Sequence, residues 1–423
     1  MSGPPGASGE IRRTVLDSGA RVVTERMPDA RSVTTGFYFG VGARDERPEL
    51  QGASHFLEHL LFKGTPERSA REIAQAVDAV GGEMNAYTAR EHTAFYTRLP
   101  AADAALGLDL LGDVVRRPAL RPEEIDAERE VIVEELLMSE DDPDDVVHTQ
   151  LWEALFPAHP IGREVLGTTD TIEGMRREDI VGFHGEWYEG ANLVVAAAGD
   201  VDHDQVVAAV AAGFGADAPH AVPDRRAPAT DPLPRRVVNR PTEQAHLTLG
   251  WRGISSRDDD RYALAVVNHV LGGGASSRLF QEIRETRGLA YAVGSSHSSY
   301  SDCGAMTVYA GTAPNRLGDV LGVIREVVAD LLAEGITEEE HRVALGYLEG
   351  SLLLGLEDSG SRMARLAQSE LTHGEVVPLD EHLARIRSVT VDDAGRVLRR
   401  VLAAAPTLAL VGPFTDDDPV LAG

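Results

Sequence analysis

Cysteine, long apolar runs and positive charge are scarce in this sequence of 423 residues. Its single cysteine, Cys303, excludes an intrachain disulfide framework and any metal site built from several cysteines, which favours a reducing compartment. No apolar run approaches the length of about 18 residues that a membrane span needs. The first nine residues also lack the apolar segment of a signal peptide. We therefore expect a soluble, cytoplasmic protein.

Basic residues are outnumbered, because 40 Lys and Arg stand against 68 Asp and Glu, for a net charge of −28. Such a surface repels phosphate backbones and anionic lipid headgroups, so we expect neither nucleic acid nor membrane as a partner. The charge could attract basic peptides. The alternative, a surface charge that only maintains solubility, stays open at this point.

An internal duplication is the main large-scale feature that is present. Three pairs of landmarks in strand-like or adjoining segments share an offset of 213 residues: Arg44 and Arg257, Tyr96 and Tyr309, Gly199 and Gly412. Widely separated landmarks at one offset indicate two copies of one domain.

The boundary between the copies is rich in proline, with five prolines between residues 216 and 234. This composition favours an extended, semi-rigid spacer. We therefore predict an N-terminal domain over 1–215, a linker over 216–236 and a C-terminal domain over 237–423. Each copy mixes strands with long helices, which predicts an α+β fold of two homologous domains, each a mainly antiparallel sheet packed with helices.

The segment His55-Phe56-Leu57-Glu58-His59 lies in a run with apolar residues at helical spacing. It predicts a short helix over 52–62, capped by Ser54. Histidines four positions apart share one helix face, where they can bind one zinc ion and leave positions for a carboxylate and a water. Glu58 would then be the base for that water, and this H-x-x-E-H order is a zinc peptidase signature. The alternative is an ordinary amphipathic helix whose histidines contact carboxylates.

A third ligand is expected from a second predicted helix, over 123–140. Glu128 and Glu135 are seven positions apart and so share a face, and one of them could bind the metal while the other orients a histidine. Spacing alone does not choose among Glu128, Glu134 and Glu135.

The second copy has no such ligands. Adding 213 to positions 55, 58 and 59 gives Asn268, Leu271 and Gly272. The metal site should therefore exist only in the first copy.

These motifs resemble those of the pitrilysin/insulinase family of zinc peptidases, and most closely its bacterial members related to the mitochondrial processing peptidase. The resemblance covers the chain from about Arg13 to Gly412. The segments that carry it are 55–65, 81–88, 91–93, 128–135, 272–280 and 284–291.

The resemblance implies specific roles. One zinc ion per chain would be bound by His55, His59 and Glu135, with Glu58 as general base and Glu128 supporting the site. The other implied positions are Asn85 and Ala86, just before a strand, which would pair with the substrate backbone, and Arg284 and Tyr291, which would bind the substrate carbonyl and the developing oxyanion. For Asn85 and Ala86 the alternative is an ordinary hairpin.

The implied activity is that of a zinc-dependent endopeptidase, which cleaves peptides or unfolded segments in an enclosed chamber. A homodimer in which the partner's Arg284 and Tyr291 complete each zinc site is a further hypothesis. The alternative function is a non-catalytic chamber or assembly subunit of a processing-peptidase-like complex.

Two further segments bear on substrates. An acidic pair binds substrate arginine in the processing peptidase, and its positions here are Asp145 and Thr149, so strict presequence recognition is not expected. Neighbouring acids could still favour basic peptides, although a solvated acidic loop is the alternative. The glycines 272–274 lack the Lys-Ser/Thr of a phosphate loop, so we interpret them as a flexible loop near the chamber mouth.

Overall fold

The computed structural model describes residues 9–216 and 222–421. The N-terminal segment to Ser8 and residues 217–221 of the predicted linker therefore lie outside the described residues. Within the described part the fold is α+β, with two mainly antiparallel sheets packed with helices, as the sequence predicts.

The first sheet has six strands among the described residues. They are β1 (Glu10–Val15), β2 (Arg21–Arg26), β3 (Ser32–Phe39), β4 (Glu83–Thr88), β5 (Thr93–Pro100) and β6 (Leu193–Gly199). Their order is β1-β2-β6-β3-β5-β4, and every neighbouring pair is antiparallel except β2 and β6.

The second sheet has five strands in the described ranges. They are β7 (Arg235–Asn239), β8 (Ala245–Arg252), β9 (Ala290–Ser299), β10 (Gly304–Thr312) and β11 (Thr407–Gly412). Their order is β7-β11-β8-β10-β9, with one parallel pair, β7 and β11. This order repeats β2-β6-β3-β5-β4, and the limits of β3 and β8 differ by 213 (245 − 32 and 252 − 39). The two domains are thus homologous copies.

Helices pack on both sheets. In the first half of the chain they are α1 (Ala53–Leu61), α2 (Ala70–Asp78), α3 (Ala104–Arg116), α4 (Pro122–Asp141), α5 (Pro143–Leu155), α6 (Thr169–Gly174), α7 (Arg177–Trp187) and α8 (His203–Phe214). In the second half they are α9 (Arg261–Leu271), α10 (Leu317–Glu334), α11 (Glu338–Gly355), α12 (Ser359–His373), α13 (Leu379–Ser388) and α14 (Val391–Leu402). The helices predicted from the sequence over 52–62 and 123–140 are confirmed, because they correspond to α1 and α4. No helix in these ranges has the length and apolarity needed to cross a bilayer.

Contacts divide the chain into two compact units that are discontinuous in sequence. Among the described residues, unit 1 comprises 9–136, 164–216, 222–224 and 353–379, and unit 2 comprises 137–163, 225–352 and 380–421. The boundaries predicted from the sequence describe the two copies of the repeat, and they stay a prediction.

Helix α12 lies within unit 1, on the face of the first sheet opposite the main hydrophobic core of that unit. Its Met363 and Leu366 pack against Tyr38 of β3 and the small side chains of β6. Glu370 of this helix is fully buried and accepts hydrogen bonds from Arg13 of β1. A buried carboxylate needs such a partner, so the ion pair fixes where α12 docks.

Helix α5 has the equivalent place within unit 2. Its Val147 and Leu151 pack against Ala409 and Val411 of β11. Each sheet therefore carries, on the face opposite its main core, a helix that belongs in sequence to the other copy of the repeat.

Candidate metal centre

Helix α1 brings two imidazoles to one face. Phe56, Leu57 and Leu60 are buried in the core of unit 1, so the helix docks by its apolar face. The spacing of four residues places the rings of His55 and His59 with their centroids 4.6 Å apart.

The start of α1 differs from the sequence prediction. The residue preceding the helix is Gly52, whose φ of 88° lies in the left-handed region that favours glycine. Ser54 lies inside the helix, and its buried hydroxyl has no hydrogen-bond partner among the described residues. The prediction of a Ser54 cap was therefore wrong.

The carboxylate of Glu46 takes the role of the cap. It accepts hydrogen bonds from the backbone N–H groups of Gly52 and Ser54, each at 2.7 Å. A negative charge there satisfies free N–H groups and interacts favourably with the helix dipole. Sequence reasoning missed Glu46 because it precedes Gly52 by six positions, outside the capping-box spacing.

Helix α4 supplies the carboxylate. The Oε2 atom of Glu135 lies 3.6 Å from the Nε2 atoms of both His55 and His59. These three residues offer ligand atoms that all lie within 4.8 Å of one another, whereas Glu134 is exposed and outside this cluster. Among the three acids that spacing left open, the geometry thus favours Glu135.

The three residues fit a zinc ion. At 3.6 Å the carboxylate oxygen is too distant for a hydrogen bond to either nitrogen, but two ligands about 2.1 Å from a tetrahedral ion stand about 3.4 Å apart. Burial, and to a lesser extent the charge of His59, lower the pKa of His55 to about 4. His55 is therefore neutral at pH 7, which is the state that binds a metal.

Glu128 sets the orientation of the second imidazole. It is buried, and its Oε2 atom accepts a hydrogen bond of 3.1 Å from Nδ1 of His59, which leaves Nε2 of that ring directed to the cluster. The other oxygen of Glu128 forms an ion pair with Lys63. Sequence reasoning missed Lys63, since nothing in the spacing connects it with α4.

Glu58 lies beside the cluster with a raised pKa. Burial is the main cause of the shift, and the hydrogen bond from the Thr88 hydroxyl to Oε2, at 2.6 Å, opposes it. A carboxylate with a raised pKa is a stronger base than an exposed one, and the short bond fixes its position. Thr88 ends β4, and although it lies in segment 81–88 of the resemblance, it was given no role from the sequence.

Asn85 and Ala86 lie inside β4, not before a strand as predicted. Strand β4 is at the edge of the first sheet, paired only with β5 among the described residues. Its residues alternate between exposed and half-buried positions, which places Asn85 on the exposed face and Ala86 and Thr88 on the other.

Arg284 and Tyr291 form a pair of their own in unit 2. Arg284 belongs to a π-helix, Phe280–Thr286, and Tyr291 to β9. The guanidinium carbon lies 4.4 Å from the centroid of the Tyr291 ring, and Nη1 donates to the Tyr291 carbonyl at 3.0 Å. The Tyr291 side chain is 80% exposed. Both groups are thus held together and accessible.

The family comparisons agree with this geometry. Residues 21–169 match the family model described as Insulinase (Peptidase family M16), and residues 174–346 match Peptidase M16 inactive domain. The chain is 46% identical over 421 residues to an uncharacterized zinc protease of Streptomyces coelicolor, covering 96% of this chain and 91% of that protein. The chain belongs to peptidase family M16.

Other M16 relatives span equally large parts of the chain. The uncharacterized zinc protease YmxG of Bacillus subtilis is 38% identical over 406 residues, which cover 95% of this chain and 98% of YmxG. A Helicobacter pylori protease of known structure has a TM-score of 0.88 at 23% identity, covering 96% of this chain and all of that one. A peptidase M16 inactive domain from Pseudomonas fluorescens, also of known structure, has a TM-score of 0.89 at 20% identity. The match covers 97% of this chain and 99% of that one. At such identities the solved structures support the M16 fold alone.

Proposed function

We propose that this M16 chain is a zinc-dependent endopeptidase that cleaves peptides or unfolded segments in an enclosed chamber. One observation carries the proposal: Glu135 Oε2 lies 3.6 Å from both imidazole Nε2 atoms, with the carboxylate of Glu58 on the same helix as the histidines. Relatives named as zinc proteases support the metal.

The residues divide the chemistry among them. When bound, zinc polarises the scissile carbonyl and lowers the pKa of a water molecule towards neutrality. Glu58 accepts the proton of the attacking water at its carboxylate and then delivers it to the leaving amine. The Thr88 hydrogen bond holds that carboxylate in place, and Glu128 holds the His59 ring by its Nδ1 proton.

The edge strand β4 supports an extended peptide as substrate. A peptide that adds a strand there gains main-chain hydrogen bonds with little demand on its sequence, and β4 ends at Thr88, whose hydroxyl contacts Glu58. The net charge of −28 favours basic peptides. Arg284 and Tyr291 would stabilise the developing oxyanion, in a homodimer from the partner subunit.

Metal analysis combined with peptide cleavage tests the proposal against the alternative of a non-catalytic subunit. We expect cleavage of a quenched basic peptide that a chelator abolishes and added zinc restores. A zinc-replete chain that cleaves no peptide, alone or after dimerisation, would instead support an assembly subunit.

A further inference from the structure

Unit 2 contains a cavity of about 630 Å³ between the sheet and one side of α10. Leu249 and Trp251 of β8, Ile324 and Val328 of α10, and Leu421 form much of its wall. Apart from two arginines, each described residue that lines it is apolar. Pockets of this size and composition hold small organic ligands.

The first copy of the repeat fills the corresponding place with its own helix α8. Phe214, at the end of α8, packs against Phe37 and Phe39 with ring centroids 6.4 and 6.3 Å apart, and the Arg116 guanidinium lies 5.1 Å from its ring. Adding 213 to position 116 gives Ala329, which lines the cavity, and Phe37 and Phe39 lie in the main core of the first sheet as Leu249 and Trp251 do in that of the second.

No described helix of the second copy takes this place. Among the described residues that follow β11, the helical segment is a short 3-10 helix at Pro419–Leu421, and its Leu421 lines the cavity. The described residues therefore leave this place in the second copy as a cavity.

The charge at this cavity is opposite to that of the whole chain. Its two charged residues are Arg235 and Arg325, in a protein of net charge −28. Arg325 is exposed, and the described residues offer it no carboxylate at ion-pair distance. Arg235 donates to the Leu421 carbonyl at 3.4 Å and lies 3.9 Å from Asp416, so its charge is only weakly neutralised. An occupant with an apolar body and an anionic head complements both features.

We propose that this cavity binds a long-chain carboxylate of the fatty-acid type. The hydrocarbon chain lies among Leu249, Trp251 and Val328, and the carboxylate pairs with Arg325 and Arg235. Each buried methylene adds affinity, while the arginines select the anionic head over a neutral one.

Calorimetric titration of the full chain with dodecanoate, below its micelle-forming concentration, tests this site. We expect one molecule per chain, and binding of dodecanol and hexanoate at least tenfold weaker. Arg325→Ala should weaken dodecanoate binding by about tenfold, which is the order expected for one charged hydrogen bond. The control Arg399→Ala removes the same charge from an exposed position on α14 that does not line the cavity, and should change nothing.

A second experiment fills the cavity with large side chains. Ala329→Trp and Ala405→Trp start from exposed positions on its wall, so each should abolish binding while circular dichroism stays native. A terminally brominated dodecanoate should quench a fluorescence component that Trp251→Phe removes.

Three outcomes would overturn the proposal. They are the absence of saturable binding to the wild type, undiminished binding to both filled variants, and equal affinity for dodecanol. Co-sedimentation with phosphatidylglycerol vesicles without binding of free dodecanoate would assign the surface to membrane lipid instead.

Discussion

At the residue scale, the candidate metal centre combines side chains that can be predicted from the sequence with side chains whose roles become visible only in the structure. The helical period alone places His55 and His59 on one face, because four residues make just over one turn. Spacing could not separate Glu128, Glu134 and Glu135, since the choice depends on how α4 lies against α1. Glu46 lies outside the segments that carry the resemblance, and Lys63 and Thr88 lie within them but were given no role, because each of the three acts through a contact that forms only in the folded chain.

Glu58→Gln tests the role of the base. We expect metal content to stay near one zinc per chain while kcat falls by about 10²–10⁴-fold, because an amide does not accept the proton from water. Metal analysis and cleavage of a quenched peptide measure the two quantities. The matched control is Glu134→Gln, an exposed acid on α4 that should keep full activity. Full activity in Glu58→Gln would refute the assignment.

Glu128→Gln tests the orientation of the second imidazole. Losing the charge that accepts the His59 Nδ1 proton should weaken zinc binding by about 10–100-fold. Competition with a chelator of known affinity measures this change, and Glu130→Gln, an exposed acid two positions along α4, serves as the control. Equal zinc affinity in both variants would contradict the role given to Glu128.

At the element scale, the strands could be predicted from the sequence, but the sheets on which helices α5 and α12 pack could not. Strands such as β6 could be predicted from the sequence. All the residues of β6 are buried, and a fully buried strand appears in a sequence as a continuous apolar run. An amphipathic helix carries no information about which sheet it covers, so neither α5 nor α12 could be placed on its sheet beforehand. The ion pair of exposed Arg13 with buried Glu370, 357 residues apart, is the contact that fixes α12.

Glu46→Gln tests whether a remote carboxylate positions the metal helix. The amide loses the charge that stabilises the start of α1, so we expect the free energy of unfolding to fall by about 1 kcal/mol and zinc binding to weaken. Denaturant unfolding of the metal-free chain and chelator competition measure the two effects. Glu72→Gln is the matched control, since Glu72 caps α2, which carries no ligand. It should lower stability without changing zinc affinity, and the same loss of zinc affinity in both variants would show that Glu46 has no specific role.

At the scale of the whole molecule, the duplication explains why the described residues form one candidate metal centre. Both copies kept the order of five strands, but the second has Asn268 and Gly272 where the offset would place the histidines. It carries the accessible pair of Arg284 and Tyr291 instead. Such a division of groups permits a site that two chains share.

Mixing two inactive variants tests sharing between subunits. Glu58→Gln and Tyr291→Phe chains, each inactive alone, should regain about one competent site per heterodimer after subunit exchange. Rescue follows because one subunit supplies the base and its partner the intact tyrosine. Exchange verified by mass-labelled chains but without rescue would show that both groups act within one chain.

The zinc content of the purified chain is the most direct test of the central claim, that His55, His59 and Glu135 bind one ion. Elemental analysis after dialysis in zinc-replete buffer should give about one zinc per wild-type chain and almost none in His55→Ala or Glu135→Gln. The exposed control Glu134→Gln should bind as the wild type does. A wild-type chain without zinc, or variants that retain a full equivalent, would contradict the account.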